Sequence, residues 1–463
     1  MANYSLTIAT VACGSGDGEG PFNFFSVELF RQQLLLWLQP EAMALFLSVT
    51  PPLSGRDAAP HIRLVSFRRS ALSGFVLAPL GPRSARSRIS LNQGVLATCV
   101  ALMIALMVAV AQAPGTTWRN TALVLAGAAI GAVLLRTTFG FAGAFRALIE
   151  RRDASGFRAH AAMLALASLL MLPLLSLDTL WGQKLVGGST QVGVGFAVGA
   201  LLFGAGMQVG GGCASGTLFS LGGGNARLIG TLAGFVVGSA LGAWHMGFWW
   251  SLPALPAATA QGLVGYGPAI VLQLGALAVL WVVAGRYSPP GKRMPALVWG
   301  GLALAVLNAV VLVLSGKPWG ETSAFALWGS QAATALGFDA HSWAYWQRPG
   351  FAGQLDRSLL RDVTSVMDAA ILLGACATAA AAGVFRPTWG GSGRAWAGAL
   401  LGGIAMGYGA RLSNGCNIGA YFSAIAAGNL SGWAWMALAL AGSWIGVKLR
   451  PMFALQGASG PVC

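Results

Sequence analysis

From residue 91 onward the chain is a succession of apolar runs, each about as long as a bilayer is thick. They fall at 92–112, 120–136, 157–176, 191–210, 227–247, 268–285, 296–315, 363–384, 395–411 and 431–449. A helix needs about 20 residues to cross the hydrocarbon core. Lipid offers no partner to backbone N–H or C=O groups, so helices satisfy them internally. Composition agrees: 56% of the residues are hydrophobic and 9% charged, against about 25% charged in a soluble domain. The expected fold class is an all-α polytopic membrane protein of about ten spans. Its 66 glycines are spread through the apolar runs, which predicts closely packed helices. Four apolar pieces, at 138–149, 214–222, 323–338 and 417–427, are too short to span and read as re-entrant half-helices.

Residues 1–90 read as a disordered N-terminal extension. Within it Leu29–Val49 carries Arg31, Gln32, Gln33, Gln39, Pro40 and Glu41, a poor composition for a span, and no signal-peptide pattern opens the chain. The net charge of +15 does not indicate nucleic acid, because the basic residues cluster in short connections between apolar runs. Arg83, Arg86 and Arg88, then Arg136–Arg158, then Arg286–Arg293, Arg386 with Arg394, and Lys448 with Arg450 all fall on one side if every run crosses. That pattern places both termini in the cytoplasm. Arg348, Arg357 and Arg361 fall on the other side. Residues 91–286 and 287–450 are then two membrane halves, with a tail at 451–463.

The halves repeat each other. Gly212-Cys213-Ala214-Ser215-Gly216-Thr217-Leu218-Phe219-Ser220 aligns with Gly415-Cys416-Asn417-Ile418-Gly419-Ala420-Tyr421-Phe422-Ser423. Gly224-Asn225 and Gly428-Asn429 follow, and Gly238–Gly242 matches Gly442–Gly446. Upstream, Gly140-Phe141-Ala142-Gly143 recurs as Gly350-Phe351-Ala352-Gly353, with a charged helix expected after each copy. Five crossings separate the fourth span from the ninth, so the Gly-Cys elements are expected to enter from opposite faces, as in an inverted repeat.

Each Cys follows a backbone breaker, Gly210-Gly211-Gly212 or Ser413-Asn414-Gly415, and precedes a short apolar helix. A thiol there sits at a helix N-terminus, where free N–H groups and the positive dipole end favour an anion. A buried Cys is usually a small hydrophobe; Cys99 and Cys376 fit that description, and Cys13 and Cys463 lie in tails. Cys213 and Cys416 differ because they occupy matching places in both halves. Arg411 lies five residues before Cys416, and its counterpart Gln208 is neutral. His160 and His245 read as interfacial, as do the tryptophans Trp249, Trp250, Trp343, Trp346, Trp433 and Trp435. Asn225 and Asn429 suit helix C-caps or substrate contacts. No Asp or Glu occupies matched mid-span positions; Asp178 and Asp368 are single, so no proton relay is evident. The six Cys follow neither a zinc pattern nor a disulfide framework, and no cofactor is expected.

At these residues the chain resembles the YeeE/YedE sulphur-transport family over about residues 91–450. The resemblance rests on Gly-Gly-Cys-Ala-Ser-Gly-Thr-Leu-Phe at 211–219 and Ala-Arg-Leu-Ser-Asn-Gly-Cys-Asn-Ile-Gly-Ala-Tyr-Phe-Ser at 410–423. It implies an hourglass-shaped inverted repeat in the bacterial inner membrane that imports thiosulfate or a related sulfur or selenium anion. The anion would pass non-covalently along pore cysteines, with a cytoplasmic sulfurtransferase-type protein as partner. Many members carry a third Cys in a motif like Arg-x-x-Phe-Cys-x-x-x-Ala-Phe-Arg, and here Gly140 stands at that place in Arg136–Arg146. The pathway residues expected are Cys213, Cys416, Gly212, Gly415, Gly140, Asn414 and Asn417. The rival readings are a membrane-embedded thiol sulfurtransferase and a membrane anchor for a sulfur-handling protein.

Overall fold

A computed structural model describes residues 82–289, 294–351 and 353–455. The extension expected at 1–90 lies outside the described residues as far as residue 81, as do Leu29–Val49, Cys13 and Cys463. From Pro82 the chain is already helical.

The first half runs α1 (Pro82–Gln112), α2 (Trp118–Thr137), α3 (Phe141–Arg151), α4 (Ser155–Leu175), α5 (Val194–Gly210), α6 (Ala214–Gly222) and α7 (Leu228–Trp244). Two short helices, α8 (Met246–Trp250) and α9 (Ala260–Val264), lead to the second half. This comprises α10 (Tyr266–Arg286), which the boundary expected at 286/287 places in the first half but which packs on α4 as α1 packs on α14, then α11 (Met294–Ser315), α12 (Thr322–Ala335), α13 (Ala344–Gln347), α14 (Val363–Ala381) and α15 (Gly393–Leu412). A short helix follows, π-wound over Asn417–Ser423 and α-helical over Ala424–Ala426, and then α16 (Leu430–Leu449). Among the described residues, strands amount to two antiparallel pairs of two residues each.

The protein is an all-α polytopic membrane protein. Eight helical stretches among the described residues are long and apolar enough to cross a membrane. The other two expected spans are also helices: α7, of 17 residues, and α15, which carries Arg394 and Arg411. Both pack on each other at the centre and α15 also lies against α5, so protein rather than lipid covers much of them and the apolar demand is relaxed. The four short pieces correspond to α3, α6, α12 and the 417–426 helix.

Packing between the halves is reciprocal. Helix α7 lies on α15 as α16 lies on α5; α2 lies on α14 as α11 lies on α4; α1 lies on α14 as α10 lies on α4. Glycine makes these crossings tight, as it does wherever helices must approach without a hydrophobic drive between them. A Cβ on Gly238 or Gly407 would strike a carbonyl oxygen across the α7–α15 contact, and one on Gly204 or Gly442 would do so across α5–α16.

The order of elements corrects one alignment. No helix forms between Gln347 and Val363 among the described residues, because Gly350 and Gly353 adopt φ of 89° and 73°. The counterpart of α3 by order and by packing is α12: α3 contacts α4 and α16, and α12 contacts α14 and α7. Two placements from the sequence also change. Trp346 and Trp435 are buried rather than interfacial, donating from Nε1 to Ser330 Oγ at 3.0 Å and Ser413 Oγ at 3.1 Å. His160 is buried among Phe139, Phe141, Phe157 and Tyr421, since the apolar ring face packs where the sequence offers four aromatic neighbours. His245 is exposed, with Nδ1 3.2 Å from Tyr408 Oη.

Candidate functional site

Each Gly-Cys element ends one long helix and starts a short one. Helix α5 stops at Gly210, Gly211 turns the chain with φ 91°, and Cys213 becomes the N-cap of α6. In the second half α15 stops at Leu412, Asn414 and Gly415 turn the chain with φ 58° and 149°, and Cys416 becomes the N-cap of the 417–426 helix. Asn is one of the few non-glycine residues that tolerate this conformation, and Asn414 Nδ2 is tied to Thr190 Oγ1 at 2.8 Å. A Cβ on Gly212 would meet the Gly216 carbonyl carbon at 3.3 Å, and one on Gly415 the Ala420 nitrogen at 2.8 Å. Gly415→Ala is therefore expected to cost roughly 2–3 kcal/mol, from left-handed strain of ~1–2 kcal/mol plus overpacking. Thermal unfolding in detergent checks this; an unchanged transition would mean that the break is not fixed by Gly415.

Both thiols are buried, at 1% and 0% exposure. Cys213 Sγ accepts from the Gly216 N–H at 3.4 Å, lies 3.3 Å from Ser215 Oγ, and also faces the Ala142 N–H of α3. Cys416 Sγ accepts from the Ile418 N–H at 3.4 Å and faces the Gly419 N–H. Its proton points to Glu321 Oε2 at 3.9 Å. Ser215, in the first turn of α6, in turn donates its N–H to the Glu321 carboxylate. Glu321 therefore bridges the two Gly-Cys elements.

Glu321 is the N-cap residue of α12, as Gly140 is of α3. Four short-helix N-termini thus meet through their caps: Gly140, Cys213, Glu321 and Cys416. Each N-terminus carries a partial positive charge and unsatisfied N–H donors, so their convergence makes an anion-favouring centre between two thiols. The matched residues Gln208 and Arg411 do equivalent work despite their different charge. Gln208 Nε2 holds the Ala142 carbonyl at the start of α3 at 3.2 Å. Arg411 holds Thr322 at the start of α12, reaching its carbonyl at 2.7 Å and its Oγ1 at 2.8 Å, and reaches Tyr345 Oη at 2.8 Å.

Several buried polar atoms near these caps have no partner: Glu321 Oε1, Gln208 Oε1, Arg411 Nε and both amide atoms of Asn417. Buried polar groups are nearly always hydrogen-bonded, so these atoms keep hydrogen-bonding capacity that the described residues do not use. Of the residues expected in the pathway, Cys213, Gly212, Cys416, Gly415 and Asn417 stand at the two breaks and Gly140 stands beside Cys213 through α3. Asn414 points away, to Thr190. Asn429 serves the fold, its N–H closing onto the Ala424 carbonyl at 2.8 Å and its Nδ2 reaching Gly188 O at 3.0 Å; the Asn225 N–H closes onto Ser220 O in the same way at 3.0 Å. Cys99 and Cys376 lie on α1 and α14 against each other, apart from this centre. No cluster of metal-binding side chains occurs among the described residues.

Residues 136–445 match the profile of the family described as sulphur transport. The chain belongs to the sulphur-transport family. The matched segment contains every cap of the centre. Among its relatives, the chain is 30% identical over 154 residues to the probable transporter YedE of Escherichia coli (strain K12), covering 33% of this chain and 37% of that protein. It is 29% identical over the same length to the probable transporter YedE of Salmonella typhimurium. It is 26% identical over 343 residues to the thiosulfate transporter TsuA of Spirochaeta thermophila, covering 69% of this chain and 96% of that protein. These relatives all carry the name of transporter, and the chain spans little more than a third of the length of the two YedE proteins.

Proposed function

We propose that the protein imports thiosulfate across the bacterial inner membrane, the anion passing non-covalently between Cys213 and Cys416. The observation that carries this reading is the meeting of four helix N-termini around two buried thiols, with the Glu321 carboxyl group already seated against the Ser215 N–H. A dianion entering the centre would gain N–H donors from α6 and the 417–426 helix and weak S–H donors from the two cysteines. Helix ends contribute up to ~2 kcal/mol each in partly buried geometry. The terminal sulfur of thiosulfate is large and weakly hydrated, which suits thiols better than the fully oxygenated face of sulfate. We read the two halves as an inverted repeat: five long helices precede the first helix of the second half, and the packing is reciprocal. Both termini are then cytoplasmic, and delivery to a cytoplasmic sulfurtransferase-type protein fits the inward direction.

Gly140 marks where a third thiol is missing. Its backbone, at φ −122° and ψ 120°, is one any residue adopts, so Gly140→Cys is expected to add a donor beside Cys213. A hydrogen bond to a charged partner contributes about 1.5–3 kcal/mol, so uptake at limiting thiosulfate should rise roughly tenfold or more. Radiolabelled thiosulfate uptake into proteoliposomes, with sulfate as competitor, tests both statements. Saturable uptake that sulfate does not compete supports the reading; no thiosulfate uptake by well-folded protein would end it. One observation favours the sulfurtransferase as a second reading: Glu321 supplies an acid–base group beside the Cys416 thiol. Intact mass after exposure to thiosulfate separates the two, since a persistent added sulfur on Cys416 would favour the enzyme.

A further inference from the structure

The centre holds more negative charge than an anion pathway should tolerate. Glu321 is 1% exposed, its Oε1 has no partner, and its Oε2 meets only the Cys416 thiol among side chains. Asp368, two turns into α14, is also 1% exposed, and neither of its oxygens has a hydrogen-bond partner. The two carboxylates lie within electrostatic reach of each other. The groups facing them can be named element by element. The 417–426 helix presents the Cys416 thiol; α6 presents the Ser215 N–H and, further off, the Cys213 thiol; α14 presents Asp362 at its own N-cap. Asp362 is itself held by Ser365, through N–H at 2.8 Å and Oγ at 2.6 Å. Arg411 of α15 stands one residue away, with two of its guanidinium nitrogens committed to Thr322 and Tyr345. Among the described residues no Lys, Arg or His pairs with either carboxylate.

Two like charges at such depth cannot both persist without a cation. A thiosulfate dianion between the thiols would make the conflict worse, because Glu321 touches the same N–H and S–H groups the anion needs. The amide of Asn417, beside Cys416 in sequence, has no partner on either atom and leaves a donor and an acceptor for a guest. We propose that the Glu321–Asp368 pair binds a proton together with each thiosulfate, so that the protein is a proton–thiosulfate symporter. This rests on the thiosulfate reading above. The proton reaches the pair from the outer side and neutralises Glu321, which frees the Ser215 N–H and the Cys416 S–H for the anion. When the anion leaves inward, the proton is released to the inner aqueous phase and Glu321 recaps α6. No bond other than O–H forms or breaks, and one negative charge moves inward for each dianion carried with one proton.

The sign follows: acid outside drives uptake. A gradient of one pH unit is worth 1.36 kcal/mol per proton, so with the membrane potential held at zero by potassium and valinomycin it should drive about tenfold accumulation of thiosulfate. Proteoliposomes of the full chain, loaded with a pH-reporting dye, test this with labelled thiosulfate as the probe. The expected result is acidification of the lumen in step with uptake and about tenfold accumulation under an inside-alkaline gradient of one unit. In Glu321→Gln and Asp368→Asn the ratio of uptake with and without the gradient should fall to about one, a ratio insensitive to altered expression or basal rate. Thiosulfate uptake by the unaltered protein with no lumen acidification and no gradient dependence would overturn the coupling while leaving the transport reading intact. Absence of thiosulfate uptake altogether would overturn the transport reading and the coupling with it.

Discussion

Cys213→Ala and Cys416→Ala are each expected to lower thiosulfate uptake by roughly 10- to 100-fold. The estimate comes from the ~1.5–3 kcal/mol of a hydrogen bond to a charged partner, lost at a step every anion must take. Neither change should disturb the fold much. The N–H bond each thiol accepts from its own short helix is long, at 3.4 Å, and its other contacts are to groups already placed by their own helices. Because the two thiols act in series on one anion, the double variant should be inactive in thiosulfate-dependent growth of a strain lacking other uptake. Serine at either position keeps a donor and should retain more transport than alanine. Normal growth of both single alanine variants at normal protein level would remove the thiols from the pathway. Equal losses for alanine and serine would point instead to the shape of the sulfur, not its proton.

The second large effect is structural. Gly407→Val is expected to abolish stable folding, because a Cβ on Gly407 strikes the Phe235 carbonyl and crowds the Ser239 nitrogen at 2.7 Å. Nothing flexible can yield there: the obstacle is the backbone of α7, and α7 and α15 are the helices that carry the two half-helices' frame. Overpacking alone costs ~1–3 kcal/mol when side chains can shift, and separating two helices loses the whole contact. The comparison variant is Gly275→Ala on α10, where a Cβ meets nothing within 4 Å and helix propensity improves by ~1 kcal/mol. Size-exclusion profile and melting temperature in detergent distinguish them. A monodisperse, thermally normal Gly407→Val protein would show that the crossing is looser than described.

What the sequence revealed, and what it hid, divides along a physical line. Local chemistry was readable: Gly211, Asn414 and Gly415 break helices through their own backbone preferences, and Cys213 and Cys416 fall next to the breaks in both halves. The short apolar helices 214–222 and 417–427 could be placed to within a residue or two for the same reason. Glu321 could not, because its significance comes from contacts across 95 and 106 residues of sequence, to Cys416 and to Ser215. It is also unmatched as a residue type: its counterpart by element order is Gly140, so an alignment of like residues passes over it. The signal present was positional, a lone acid between the apolar run 296–315 and the short piece 323–338, where an N-cap belongs. Asp368 looked isolated for the same reason and acquires a partner only when α14 packs beside α12. The Gly350-Phe351 motif misled in the opposite way. It matched Gly140-Phe141 by letter, but left-handed glycines at 350 and 353 turn the chain where the first copy starts a helix. Trp435 and His160 show the same limit: an aromatic near a span end reads as interfacial until tertiary packing buries it.

An anion bound where the caps Cys213, Glu321 and Cys416 meet would take the place of the Glu321 carboxylate. Selenosulfate, in which selenium replaces the terminal sulfur of thiosulfate, tests this most directly through anomalous scattering from crystals of the protein soaked with it. One selenium peak is expected within hydrogen-bonding reach of both Cys213 Sγ and Cys416 Sγ, with the Glu321 carboxylate displaced from the Ser215 N–H. A selenium peak elsewhere along the transport path, with Glu321 still seated between the two cysteines, would contradict it.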